Sequence, residues 1–147
     1  MTTVFDVANY FLSLVDHDAD DCISNLKLQK LCYYAQGFYM AQHNGERLFN
    51  ADLQAWQHGP VIPELYHKYK GFHSDCLLPD SDFNPESIPE PVRELLDDVY
   101  QEYGQYSAWR LRDMTHEETP WRSSYNRTNN DIIPDDVMTS FFKTRLA

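Results

Sequence analysis

The sequence predicts a mainly α-helical fold: a single compact domain, residues 1–147, of five or six helices. Three observations point there. Apolar residues recur at helical spacing in most segments. Glycine and proline fall mostly at the edges of those segments. The 147-residue chain, 42% hydrophobic and 14% aromatic, has the length and apolar content for one core. A chain of this size buries roughly 68–70% of its unfolded surface. No internal repeat or low-complexity tract is present.

The first helix is read from about Thr3 to Val15, with Val4, Ala8, Phe11, Leu12 and Val15 on one face. His17-Asp18-Ala19-Asp20-Asp21 interrupts it; this acidic run lacks the in-register glycine and glutamate of a calcium loop and reads as solvated. Ser24 or Asn25 caps a longer second helix to about His43, ended by Asn44-Gly45. Its inward stripe is Leu28, Leu31, Cys32, Ala35 and Tyr39. Tyr33, Tyr34, Phe38 and Tyr39 cannot all face one core, so some of these rings are expected against a second element or in solvent.

Residues 46–57 leave three readings open: short extended pieces, a small β-hairpin, or a single helical turn. Pro63 suits the first position of a helix through Tyr69-Lys70, ended by Gly71. The proline-rich stretch from Phe72 to Pro91 reads as a surface loop. Ser87-Ile88-Pro89-Glu90 has capping-box spacing before a helix carrying Val92, Leu95, Leu96, Val99 and Tyr103. Ser107 caps a short helix with Ala108, Leu111 and Met114, which Thr115 to Trp121 breaks. After a polar loop, Pro134-Asp135-Asp136 opens a last helix anchored by Val137, Phe141, Phe142 and Leu146.

Charge and cysteine content narrow the function. Twelve Lys and Arg against 23 Asp and Glu give a net charge of −11. That balance argues against tight nucleic-acid binding, which requires cations on phosphates. It favours encounter with a basic partner. No apolar run approaches the ~20 residues of a membrane span, and the first residues lack a secretion signal's pattern. Cys22, Cys32 and Cys76 outline neither a disulfide framework nor a zinc site, so reduced thiols and a cytoplasmic location are expected.

Catalytic patterns are absent. His116-Glu117 lacks the second histidine of a HExxH helix, and His58, His67 and His73 do not share a helical face. No metal site or cofactor is expected. Cys32 lies on an apolar stripe, and no glycine-rich phosphate loop exists. Two features stand out instead. Lys30 is a cation beside a dense aromatic face, placed to pair with an acid or lie over Tyr33 or Tyr34. Two corners, Trp56-Gln57-His58-Gly59-Pro60 and His116-Glu117-Glu118-Thr119-Pro120-Trp121, each combine Trp, His and Pro at a chain break and are candidates to pack together.

Three pieces carry a resemblance. They are Leu28-Gln29-Lys30-Leu31-Cys32-Tyr33-Tyr34-Ala35-Gln36-Gly37, then Leu48-Phe49 with Ala55-Trp56-Gln57-His58-Gly59-Pro60-Val61-Ile62-Pro63, then Leu111-Arg112-Asp113-Met114-Thr115-His116 with Pro120-Trp121. In this order they resemble the SocA-like antitoxin family, also called the Panacea domain and associated with the phage protein GepA. The resemblance implies a mostly helical bacterial or prophage protein, the antitoxin of a toxin–antitoxin pair. Its members pair with many unrelated toxins, and one is thought to deliver its toxin to a protease. The expected partner is a toxin encoded nearby, with a protease as a further candidate; the length and acidity of this chain argue against a DNA-binding segment. Partner contacts are expected from exposed rings around Tyr33, Tyr34 and Trp56, with Lys30, His58, Gly59, Pro60, His116 and Trp121. Two rival readings are a small enzyme using His58 and His116 as acid and base, and an acidic DNA mimic.

Overall fold

One helix is enclosed on nearly every side, and the other elements are arranged around it. The computed structural model describes residues 2–16 and 21–146. Among these residues the order is α1 Val4–Ser13, α2 Asn25–Gln42, β1 Gln54–Trp56, β2 Gly59–Val61, α3 Pro63–Tyr69, α4 Glu90–Tyr103, α5 Ala108–His116, α6 Thr119–Ser124 and α7 Asp135–Lys143. Helix α2 packs against α1, α3, α4, α5, α7 and β2.

The local signals explain most of these boundaries. Thr3 and Asp6 form a reciprocal capping box that starts α1. Ser24 and Ser107 each accept a hydrogen bond from the third backbone N–H of the helix they precede. Pro63 and Pro120 occupy first-turn positions, where a missing N–H is harmless. Ser87, by contrast, lies in a short 3-10 turn, and Pro89 stands at the start of α4 without a side-chain cap.

Three expectations are corrected or sharpened. The segment after His116 is not only a break, because Pro120 nucleates the extra helix α6. The short hairpin expected near residues 46–57 is present, and its two strands and turn lie at residues 54–61. Its strands pair Gln54 with Val61, Ala55 with Pro60 and Trp56 with Gly59, leaving Gln57-His58 as the turn. Gly59 has φ +110, which favours a residue without Cβ. Residues 131–133 run along the other edge of β1 through Ala55 N to Asp131 O at 2.9 Å and Ile133 N to Leu53 O at 2.8 Å.

The third change is covalent. Cys22 and Cys76 form a disulfide, so the reduced-thiol reading fails for two of the three cysteines. Leu77 N donates to Ile23 O at 2.9 Å, which aligns the two segments and brings the cysteine Cα atoms to 5.2 Å. Cys32 is free and buried, and burial pushes its thiol pKa up. Of the acidic run after α1, residues 17–20 lie outside the described residues. No helix is long and apolar enough to cross a membrane among the described residues.

Candidate functional site

Most polar residues of α2 are buried, and the buried ones reach distant segments of the chain. Gln29 Oε1 accepts from Ile62 N at 2.9 Å. Gln36 Oε1 accepts from Leu48 N at 2.7 Å, while its Nε2 donates to Phe49 O at 2.8 Å. Lys30 Nζ donates to Pro60 O at 3.1 Å. Tyr33 and Tyr34 donate to the two carboxylate oxygens of Glu118, each at 3.0 Å. These bonds satisfy groups that would otherwise be costly to bury.

The expected exposure of Lys30, Tyr33 and Tyr34 is therefore corrected: all three are 0% exposed. Their rings and ammonium are enclosed because α2 has neighbours on nearly every side. Tyr34 stacks on Tyr103 with ring centroids 3.8 Å apart, and Tyr33 meets Phe142 edge-on at 5.4 Å. Gly59 and Pro60 are buried as well. Among the described residues, Lys30 is bonded to neither an acid nor a tyrosine ring; its hydrogen bond runs to the hairpin backbone. Burial, then the nearby Arg112 charge, brings its pKa down to about 7. Burial and the charge of Glu118 push both tyrosines up. Burial also raises Glu118, against the opposing effect of the two tyrosine hydrogen bonds.

What α2 holds in place is the pair of tryptophan corners, which do pack together. Trp121 Nε1 donates to Trp56 O at 2.7 Å. The Trp121 ring stacks between His116 at 4.0 Å and Tyr125 at 4.5 Å. Trp56 Nε1 donates to Gln54 Oε1 at 2.9 Å, and its ring stands edge-on to Tyr66 at 4.9 Å. Both indoles are half-buried, with fixed orientation and some surface left open.

Helix α5 completes this face. Arg112 Nε donates to Nδ1 of the exposed His58 at 3.1 Å, and its guanidinium lies over Trp109 at 4.9 Å. Trp109 is 58% exposed and meets His58 edge-on at 5.6 Å. Sequence reading passed over Trp109 and Arg112. Helical spacing held the signal, because Trp109 lies two residues from the buried Leu111 and so on another side of α5. Burial and the Arg112 charge lower the pKa of both His58 and His116. His116 Nε2 is buried without a hydrogen-bond partner among the described residues. A 460 Å³ cavity opens between the hairpin, the starts of α2 and α5, and the second half of α3, walled by Trp56, Tyr66 and Trp109. Among the described residues, no three His, Cys, Asp or Glu side chains form a group able to hold a metal ion.

These residues lie within a matched family domain. The profile of the family described as antitoxin SocA-like, Panacea domain, matches residues 28–122. Antitoxin SocA of Caulobacter vibrioides (strain NA1000 / CB15N) is 48% identical over 44 residues, a stretch covering 30% of this chain and 23% of that protein. No solved structure matches the chain. The domain match takes in the α2 clamp, the hairpin, and the α5–α6 corner, and on that extent the chain belongs to the SocA-like antitoxin, Panacea domain family.

Proposed function

We propose that this protein is a non-enzymatic, cytoplasmic antitoxin that neutralises a co-encoded toxin by direct contact. Membership of the antitoxin family supports the role. The contact face is the surface of Trp56, His58, Trp109, His116 and Trp121. The observation that carries this assignment is the fixed orientation of partly open indoles, through Trp121 Nε1 to Trp56 O and Arg112 to His58. Tryptophan and arginine are over-represented among the residues that dominate binding energy, and rings already fixed lose little freedom on docking. Lys30, Tyr33 and Tyr34 serve the interface from beneath, as the clamp that positions it.

A standard interface covers about 800 Å² per partner, about a tenth of this chain's 7957 Å² surface. The net charge of −11 steers a basic toxin toward the protein. Delivery of the bound toxin to a protease is a further step within the same reading.

Co-expression with the product of the adjacent gene tests it. The parent chain relieves growth arrest and co-purifies with that product. Trp109→Ala weakens the complex by roughly tenfold or more, given that an interface hot spot is worth ~2 kcal/mol. The paired variant His58→Ala/His116→Ala retains neutralisation at raised expression, whereas an enzyme using both imidazoles loses it at any expression level. Absence of both association and rescue overturns the proposal. A shorter toxin half-life in the presence of this protein identifies the delivery step.

A further inference from the structure

The cavity beside the hairpin has a charge opposite to that of the chain. The protein carries 23 acidic residues against 12 lysines and arginines. Yet Lys70, His58 and His73 line this cavity, and no carboxylate does among the described residues. The Trp56 ring is presented for stacking rather than for hydrogen bonding. The Trp56 indole N–H is already taken by Gln54 Oε1 at 2.9 Å, and the edge-on contact with Tyr66 fixes its plane. Trp109, which is exposed, also lines the cavity and is held by Arg112 and His58.

The ionisable groups are equally one-sided, beside the neutral amides of Asn25, Gln29, Gln57 and Asn130. Arg112 Nε–H occupies His58 Nδ1, so the neutral ring carries its proton on Nε2 and is a donor there. The Lys70 ammonium adds donors and a full positive charge. Stacking planes together with donors and no anionic acceptor select a flat ring that bears negative charge. The volume of 460 Å³ falls within the ~300–1,000 Å³ usual for small-molecule sites.

We propose that this cavity binds a planar heteroaromatic anion of mononucleotide size, with the ring against Trp56 and Trp109 and the negative group toward Lys70 and His73. The site goes beyond the antitoxin reading and does not depend on it.

Titration of the purified chain with AMP, adenosine and inorganic phosphate, followed by tryptophan fluorescence and calorimetry, tests the proposal. AMP binds saturably and changes the tryptophan emission. Adenosine binds roughly tenfold or more weakly, the loss expected for a missing charge-assisted contact. Lys70→Gln weakens AMP binding by roughly the same factor and leaves adenosine unchanged. Trp109→Ala weakens both ring-bearing ligands. Lys70 and Trp109 are exposed, so both variants keep the parent's melting temperature. Absence of saturable AMP binding, equal affinity for AMP and adenosine, saturation by phosphate without a tryptophan response, or an unaffected Lys70→Gln variant overturns the proposal. The chain is assayed alone, so the result stands whether or not a toxin is captured.

Discussion

Gly59 lies against Lys30: a Cβ placed on the glycine would stand 2.7 Å from Lys30 Cε and 2.8 Å from Thr115 Oγ1. The hairpin therefore approaches α2 and α5 more closely than any side chain at position 59 allows. Its φ of +110 excludes ordinary residues independently. Gly59→Ala should destabilise the fold by about 2–4 kcal/mol, combining backbone strain and overpacking. Urea unfolding measures this, and a loss below ~0.5 kcal/mol contradicts the packing described.

Lys30 should leave a signature in the pH dependence of stability. Its folded pKa, brought down to about 7, lies below the unfolded value of 10.5. Protonated in both states below pH 7, the buried ammonium disfavours the fold by its full amount. Between pH 7 and 10.5 the unfolded chain holds the extra proton, so stability rises with pH. Lys30→Met removes that contribution, and the parent should gain on the variant across this range. Parallel stability profiles for the two proteins count against a lysine buried in this way.

Glu118 joins α6 to α2 through two phenols. Removing its carboxylate in Glu118→Ala leaves two buried hydroxyls without acceptors, at a cost of about 2–4 kcal/mol. Glu118→Gln keeps one acceptor oxygen and sheds a charge that burial disfavours, so its cost should be much smaller. Thermal melts of the two variants separate these outcomes. Equal destabilisation would mean that the charge, not the hydrogen bonding, matters.

Gly37 makes the opposite prediction to the usual rule for helices. Alanine normally stabilises a helix interior by about 0.5–1 kcal/mol relative to glycine. Here a Cβ would overlap the Phe142 ring of α7. Gly37→Ala should instead cost about 1–3 kcal/mol, with part recovered when Phe142→Leu is added. A double-mutant cycle reads the coupling directly, and strict additivity of the two changes would show that the residues do not meet.

Most elements were legible because their causes are local. Ser24 and Ser107 cap helices, Pro63 starts one, and Val4, Ala8, Phe11 and Leu12 mark a buried face by spacing alone. The packing of the two tryptophan corners also followed from composition at chain breaks. The failures share a physical origin. Lys30, Tyr33 and Tyr34 read as surface residues because their partners lie 30, 85 and 84 positions away, beyond any local pattern. A helix enclosed on nearly every side by such partners does not declare its depth through spacing alone. Cys22 and Cys76, separated by 54 positions, likewise carry no motif that declares their bond. Trp109 is different, since the helical wheel held that information.

The Cys22–Cys76 bond has a mechanical consequence for how this chain could be dismantled. An unfolding machine that pulls the polypeptide through a narrow pore from either end meets a closed covalent ring at this link. Two strands must then pass side by side, or the bond must first be reduced. Persistence of the protein against such machinery is thus tied to the electron supply around it as well as to the packing of its helices.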